Sequence, residues 1–221
     1  NGENMHEAVQ RESKAARDSA GILDASTLGK IDIQGTDASE FLNRVYTNAW
    51  SKLEIGKCRY GLMLNEDGMV YDDGVTTRLD ENHYIMTTTT GGAATVLGKL
   101  EDYLQTEWPE LDVYLTSVTD HYATISVCGP HSTKIIQKVI PEIDLSDKDF
   151  PHMSFKNSKI GKVKCRVMRI SFTGEQSYEI NIQANYAKSV WENCMEAGKE
   201  FNITPYGTAV SYTHLRAHET R

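Results

Sequence analysis

The segment that most constrains the fold of this chain lies at residues 58–79. Two strand-like runs, 59–64 and 69–77, flank the tetrapeptide Asn-Glu-Asp-Gly at 65–68. An Asp-Gly pair suits a turn that needs a positive φ angle, so this pattern predicts a β-hairpin. The rest of the chain is interpreted around that hairpin.

The second hairpin strand carries two adjacent carboxylates, Asp72 and Asp73, followed by Gly74. Neighbouring side chains of a strand point to opposite faces, so one acid must point inward if one face of the sheet is covered. A glycine at this position lets backbone or a ligand come close. Either the inward acid binds a ligand amine, or the pair belongs to an Asx-type turn or a strand end in solvent. The residues alone leave both interpretations open.

Composition narrows the class of protein. With 221 residues, 39% of them hydrophobic and 24% charged, the chain is long enough for one large domain or two small ones. No run approaches the roughly 18 apolar residues of a membrane span, and no signal-peptide pattern opens the sequence. The net charge of -8 argues against a nucleic-acid surface. We therefore expect neither a membrane nor a nucleic acid among the partners.

Metal and nucleotide motifs are also missing from the sequence. The cysteines are widely spaced without a C-x-x-C pair, so neither a zinc site nor a disulfide framework is expected, and reduced thiols predict a cytoplasmic protein. His214 and His218 have the i, i+4 spacing of metal ligands on a helix, but no third ligand accompanies them. We predict no metal. The four cysteines are Cys58, Cys128, Cys165 and Cys194.

The periodicity along the chain is of the α+β type. A helix is predicted at 6–20, a half-buried strand at 30–34, and a short helix ending near Tyr46 that begins with a capping box formed by Thr36-Asp37 and Glu40. The predicted fold class is α+β, with mixed or antiparallel sheets flanked by helices. Further strands are expected at 82–90, 111–118, 122–128, 162–170 and 178–182, and further helices from 92, from 130 and at 186–201.

Polar or charged residues occur at two further positions where their surroundings are informative. Four threonines at 87–90 and two glycines precede the helix that starts near residue 92. The free N–H groups there bind either a ligand carboxylate or carbonyl, or a capping side chain of the chain itself. Glu179 stands in the middle of a predicted strand; from the local pattern alone we expect it to face water.

Several separated segments together resemble the folate-binding aminomethyltransferases, a family that includes the glycine cleavage T-protein and dimethylglycine dehydrogenases. Within that family the chain is most similar to the α subunit of heterotetrameric sarcosine oxidases. The likeness covers roughly residues 7–208. The family-wide segments are 11–12, 24–30, 41–48 and 71–74, and those of the sarcosine oxidase branch are 87–91, 105–109, 115–120 and 171–175.

The resemblance implies a domain organisation. Residues 1–20 are expected to form an N-terminal helix or linker, and 21–208 a folate-binding aminomethyltransferase domain that is truncated at its C-terminal end. Residues 209–221 resemble a translated adapter sequence, so they are excluded from the fold prediction. The family continues with further segments on both sides, which makes the chain a fragment.

The resemblance also implies an activity. In the family, the imine formed by oxidation of sarcosine meets tetrahydrofolate, and 5,10-methylenetetrahydrofolate and glycine are released. Asp73, the second acid of the pair, matches the catalytic residue that orients the folate N10 amine and stabilises its developing charge. Glu179 matches the acid that holds the pterin edge. Four other positions match the lining of the folate pocket: Leu28, Tyr84, Thr88 and Phe172, the last replacing a tyrosine of the T-proteins.

Cofactors and partners follow from the same resemblance. Tetrahydrofolate is expected on this domain, whereas FAD, FMN and NAD are expected elsewhere in the holoenzyme, together with the other sarcosine oxidase subunits. Two alternatives stay open. One is a non-catalytic folate-fold module that serves assembly, and the other is an aminomethyltransferase of the T-protein or dimethylglycine dehydrogenase type.

Overall fold

Two β-sheets with helices packed on them form the computed structural model, which describes residues 2–210, and this confirms the predicted α+β class. The helices are α1 (Met5–Asp18), α2 (Ala38–Val45), α3 (Ala93–Asp102), α4 (Ser132–Val139) and α5 (Ala187–Gly198). The strands are β1 (Gly21–Asp24), β2 (Gly29–Gln34), β3 (Cys58–Leu64), β4 (Val70–Asp80), β5 (His83–Thr88), β6 (Tyr114–Ser117), β7 (Tyr122–Cys128), β8 (Ser154–Ile160), β9 (Val163–Arg169), β10 (Ser177–Gln183) and β11 (Thr204–Pro205).

Contacts within the chain define two units. Unit 1 comprises the residues up to Ala25, Ala123–His152 and the residues from Lys156 onward, and unit 2 comprises Ser26–Tyr122 and Met153–Phe155. The predicted boundaries of the folate-binding domain at residues 21 and 208 stay predictions. Residues 211–221, which include most of the predicted tail and both His214 and His218, lie outside the described residues.

Unit 1 is built on a six-stranded sheet with the order β11-β1-β7-β10-β9-β8. The β1–β11 pair is parallel, while the β1–β7 and β9–β10 pairs are antiparallel. Apolar side chains of alternate strand positions pack with residues of α4 and α5, because a sheet needs one face covered to bury its hydrophobic residues. The core includes Ile125, Val127, Ile135, Ile136, Val167, Tyr178, Ile180, Ile182 and Val190.

Unit 2 is built on a five-stranded antiparallel sheet with the order β3-β4-β5-β2-β6. The predicted hairpin is confirmed as β3 and β4, and Gly68 in its turn has a φ angle of 81°. Helices α2 and α3 bury one face of this sheet. The core between them includes Ile31, Ile33, Phe41, Leu42, Met63, Tyr84, Met86, Val96 and Leu100.

The capping box predicted at the start of α2 is wrong. Asp37 occupies the N-cap position but makes no side-chain cap hydrogen bond. Its carboxylate instead accepts the backbone N–H of Asp112 at 2.9 Å, and the Thr36 hydroxyl donates to the carboxylate of Asp112 at 3.0 Å. The side chains of Thr36 and Asp37, which the sequence pattern predicts to cap α2, therefore bond to Asp112 in the tertiary structure.

Another difference concerns the length of a strand. The strand predicted at 111–118 is shorter and covers Tyr114–Ser117. A capping box does exist at α1, where Asn4 and Glu7 cap each other reciprocally. Among the described residues, no helix combines the length and apolarity needed to cross a bilayer.

Candidate functional site

The two acids on β4 point to opposite faces of the unit 2 sheet. Asp72 pairs with Met63 of β3, and Asp73 pairs with Leu62. Met63 belongs to the core beneath the helices, so Asp72 lies on the helix-covered face and Asp73 on the other. The exposed fraction of Asp72 is 4%, whereas Asp73 is half-buried. The inward acid is thus Asp72.

Asp72 is satisfied by the chain itself. The Thr89 hydroxyl donates to Asp72 Oδ1 at 2.5 Å, and the Thr89 N–H points at Oδ2 at 3.3 Å. Thr89 Oγ1 in turn accepts the N–H of Gly92, the N-cap residue of α3, at 3.2 Å. Burial raises the pKa of Asp72, and the bonds from Thr89 oppose part of that rise. The polar groups before α3 are therefore bonded to side chains of the chain itself, which favours the internal alternative over a ligand at this position.

Asp73 lies on the more accessible face of the sheet. The Tyr60 hydroxyl donates to Asp73 Oδ2 at 2.7 Å, and Tyr60 itself is 49% exposed. Desolvation of the phenol, followed by its hydrogen bond to Asp73, raises the pKa of Tyr60 to about 12. A carboxylate fixed by a phenol at an accessible surface can accept an N–H from a ligand and stabilise positive charge on it.

The other unit 2 positions predicted for the pocket do not all reach that face. Tyr84 has no exposed surface, and the Arg78 guanidinium lies 5.4 Å from the centre of its ring. Thr88 is 1% exposed, and both residues lie on the face that carries the helices. The structure therefore does not bring Tyr84 and Thr88 together with Asp73. Leu28, in the loop before β2, is half-buried.

In unit 1, Glu179 lies in the middle of β10 and is 7% exposed. The expectation from local pattern that it faces water is wrong, because β10 is an interior strand whose two faces are both covered. Its neighbours Tyr178 and Ile180 point into the apolar core, so Glu179 points to the opposite face.

That opposite face of β10 is polar along its length. Ser177 and Asn181 share it with Glu179, and all three are buried. Thr124 of β7 donates to Asn181 Oδ1 at 2.8 Å. Burial, and to a smaller extent the charge of Glu179, raises the pKa of Tyr206. Buried polar groups gathered on one sheet face are more typical of a binding surface than of a core.

Phe172 occupies the loop between β9 and β10 in unit 1. Its side chain is 54% exposed, which leaves the ring free to stack on a planar ligand. The neighbouring residues hold the loop: the Ser171 hydroxyl donates to the carbonyl of Glu175 at 2.5 Å, and Thr173 is 1% exposed. An aromatic side chain presented on an ordered loop fits the stacking role that the resemblance implies.

Two residues of these surfaces, Tyr60 and Asn181, were not predicted from the sequence. Tyr60 lies on the same face of the hairpin as Asp73. Its proximity to Asp73 follows from the register of β3 and β4, in which Tyr60 pairs with Val75 and Leu62 pairs with Asp73. Asn181 follows Glu179 by two residues, so the period of a strand places both on one face. In both cases the missing information was the pairing of strands.

One open depression of about 490 Å³ lies elsewhere on unit 2. None of the predicted site residues lines it. Within residues 2–210, no three or more His, Cys, Asp or Glu side chains gather in a group able to hold a metal ion. The lining residues are Gln34, Gly35, Thr36, Asp80, Glu81, Asn82, His83 and Asp112.

Comparison with known proteins confirms the resemblance to the aminomethyltransferase family. The GCVT N-terminal domain family matches residues 1–219. The sarcosine oxidase subunit alpha of Corynebacterium sp. strain U-96 is 55% identical over 217 residues, which are 98% of this chain and 22% of that protein. The aminomethyltransferase of Thermoanaerobacter sp. strain X514 is 32% identical over 202 residues, 91% of this chain and 53% of that protein. The chain thus spans about a fifth of the first relative and about half of the second.

Solved structures show the same fold. The glycine cleavage system aminomethyltransferase T from Bartonella henselae superposes with a TM-score of 0.77 at 22% identity, over 92% of this chain and 52% of that one. The heterotetrameric sarcosine oxidase from Corynebacterium sp. U-96 in complex with pyrrole 2-carboxylate superposes with a TM-score of 0.61 at 14% identity. That match covers 89% of this chain and 93% of the other.

Proposed function

Because the chain belongs to the GCVT N-terminal domain family, we propose that it is the one-carbon-transfer domain of a sarcosine oxidase α subunit. The observation that carries this proposal is the burial of the Glu179 carboxylate on a sheet face that is otherwise polar. A carboxylate at this place can accept paired N–H groups from a ligand in addition to the interactions that it makes within the chain.

The proposed reaction joins tetrahydrofolate to the imine that oxidation of sarcosine produces. Tetrahydrofolate supplies two nucleophilic nitrogens for the imine carbon. The two N–H protons lost from the folate accompany the departing amine, so the products are 5,10-methylenetetrahydrofolate and glycine. No oxidant is needed in this step, since the oxidation has already formed the imine.

The residues of the chain hold and polarise these reactants. Asp73 accepts the N–H of the attacking nitrogen and stabilises the positive charge that develops there, while Tyr60 fixes the orientation of its carboxylate. Glu179 accepts two N–H groups of the pterin edge. Phe172 stacks on a ring, and Leu28 makes an apolar contact with it. Each charge-assisted bond to Glu179 is worth about 1.5–3 kcal/mol.

The wider setting is part of the same proposal. We assign the folate-binding domain to residues 21–208, preceded by a helical linker. FAD, FMN and NAD would bind to other parts of a hetero-oligomeric holoenzyme, which supplies the imine in the cytoplasm. The 55% identity to a sarcosine oxidase subunit alpha supports this assignment over an isolated aminomethyltransferase.

The test uses the full-length protein with its partner subunits, and measures hydrogen peroxide and 5,10-methylenetetrahydrofolate in the same reaction. Asp73→Asn is expected to reduce the folate product about 10²–10⁴-fold while peroxide formation continues. Glu179→Gln is expected to raise the KM for tetrahydrofolate. Asp72→Asn is the matched control on the other face of β4. Equal loss of both products in Asp73→Asn would contradict the proposal.

A second function has one observation in its favour. Tyr84 and Thr88 lie on the face of the unit 2 sheet opposite Asp73, which fits a folate fold that no longer carries out the reaction and serves assembly of the subunits. Under that alternative, the Asp73→Asn, Glu179→Gln double variant assembles normally and yields the same products as the wild type. Loss of the folate product in the double variant excludes it.

A further inference from the structure

A buried lysine, Lys30, holds the loop that carries Leu28. Lys30 lies on β2 and is 1% exposed. Its Nζ donates to the carbonyl of Ser26 at 2.9 Å and to the carbonyl of Leu28 at 3.0 Å. We propose that Lys30 is a positioning residue that orients Leu28 for contact with a reduced pterin, an inference that rests on the proposed function.

A buried ammonium group is expensive to retain. Methionine would fill nearly the same volume without desolvating a charge, so packing alone does not explain a lysine at this position. Two of the hydrogen bonds of Lys30 go to backbone carbonyls four and two residues earlier in the chain. These two bonds fix the backbone of residues 26–28, a segment that belongs to no helix or strand.

The same loop is held at three more points. The Lys30 N–H donates to the Thr119 hydroxyl at 3.0 Å, and the hydroxyls of Thr27 and Thr90 lie 3.1 Å apart. A Cβ atom on Gly29 would come within 2.7 Å of the Ala93 Cβ, so the backbone packs closely on the start of α3. Thr90 follows Thr89, which binds Asp72. The loop is thus linked to the segment that anchors the acid pair.

The Leu28 side chain contributes little to the stability of the fold in this arrangement. Its side chain is half-buried and is not part of the core of unit 2. Its backbone carbonyl nevertheless accepts a hydrogen bond from Lys30, and the residues before and after it are also held by contacts. An ordered apolar side chain at a partly open surface is what contact with a flat ring requires, because little conformational freedom is then lost on binding. Fixing the loop in advance is the role we assign to Lys30.

The test is a double-mutant cycle in the full-length protein with its partner subunits. Lys30→Met and Leu28→Ala are each expected to raise the KM for tetrahydrofolate roughly tenfold, and the double variant should raise it no further. Peroxide formation should be unchanged in all three. Lys99→Met is the matched control: Lys99 lies 4.6 Å from the centre of the Tyr71 ring and contacts Glu66, so it should lower thermal stability without changing KM.

Three results would overturn the inference: an unchanged KM in Lys30→Met, multiplying effects of the two substitutions, or a KM shift in the control as large as that in Lys30→Met. If Lys30→Met does not assemble, Thr119→Val removes another bond of the same loop and should raise KM two- to threefold. A wild-type protein that forms no methylenetetrahydrofolate refutes the proposed function as well. Hydrogen exchange of residues 27–29 then shows separately whether Lys30 orders the loop.

Discussion

Thr89→Val tests the internal bonding of Asp72 most directly. The substitution keeps the shape of the side chain but removes a hydroxyl that donates to Asp72 at 2.5 Å and accepts the Gly92 N–H at 3.2 Å. A hydrogen bond to a charged group is worth about 1.5–3 kcal/mol, and a neutral bond such as that from the Gly92 N–H, which also donates to the Thr89 carbonyl, about 0.5–1.5 kcal/mol. Because the two losses share one group, we expect the free energy of unfolding at pH 8 to fall by about 2–3 kcal/mol.

The size of that effect depends on pH. Burial already raises the folded-state pKa of Asp72 above its unfolded value, so the folded protein binds the extra proton and wild-type stability falls as pH rises through the folded pKa. Removing the Thr89 hydroxyl raises the folded pKa further. At pH values where the carboxyl is neutral in both proteins, the variant loses two neutral hydrogen bonds, about 1–2 kcal/mol. The full loss develops above the folded pKa of the variant.

Urea unfolding at pH 3, below the unfolded pKa of an aspartate, and at pH 8, followed by tryptophan fluorescence, measures both values. Thr90→Val is the control, since the Thr90 hydroxyl contacts another exposed hydroxyl, that of Thr27, at 3.1 Å. It should change stability by less than about 0.5 kcal/mol, without a dependence on pH. The reasoning is refuted if Thr89→Val costs no more than the control at pH 8, or if its cost is the same at both pH values.

Three other outcomes are expected. Gly29→Ala should lower the free energy of unfolding by about 1–3 kcal/mol because its Cβ would clash with Thr88 Oγ1 and lie 2.7 Å from the Ala93 Cβ. Gly98→Ala, in an open position of α3, should raise it by about 0.5–1 kcal/mol; urea unfolding compares the two. In an ultraviolet titration Tyr60 should ionise with a pKa of about 12, and Asp73→Asn should lower that pKa. Burial raises the pKa of Cys194 to about 12, so a thiol reagent at pH 8 should label it in urea and not in the native protein.

Much of the fold could be predicted from local pattern. The hairpin formed at residues 58–80 because an Asp-Gly turn joins two strand-like runs, and β7 has the bounds 122–128 that its apolar run indicates. The α2 capping box failed for a physical reason. Thr36 and Asp37 bind Asp112, and hydrogen bonds to a segment 75 residues away leave no local signal.

The residues assigned to the candidate site stay predictions, and the directions of their side chains could not be predicted from local pattern. Local pattern indicated that one acid of the Asp72-Asp73 pair points inward, but which of them does so depends on the pairing of β4 with Met63 and Leu62 of β3. The same limit applied to Glu179. Its burial results from the cover on both faces of β10, an interior strand of its sheet, which no local pattern specifies.

The sequence by itself determined the alternation of strands and helices, the turn at Gly68, the family and the acids that carry its proposed chemistry, because periodicity, turn residues and family motifs are properties of short segments. The tertiary structure decided that Thr89 binds Asp72, that Tyr60 holds Asp73, that Tyr84 lies in a core and that Lys30 fixes a loop. These contacts depend on strand register. Register is set by which distant side chains pack and bond together, and a one-residue shift would turn every side chain of a strand to the other face.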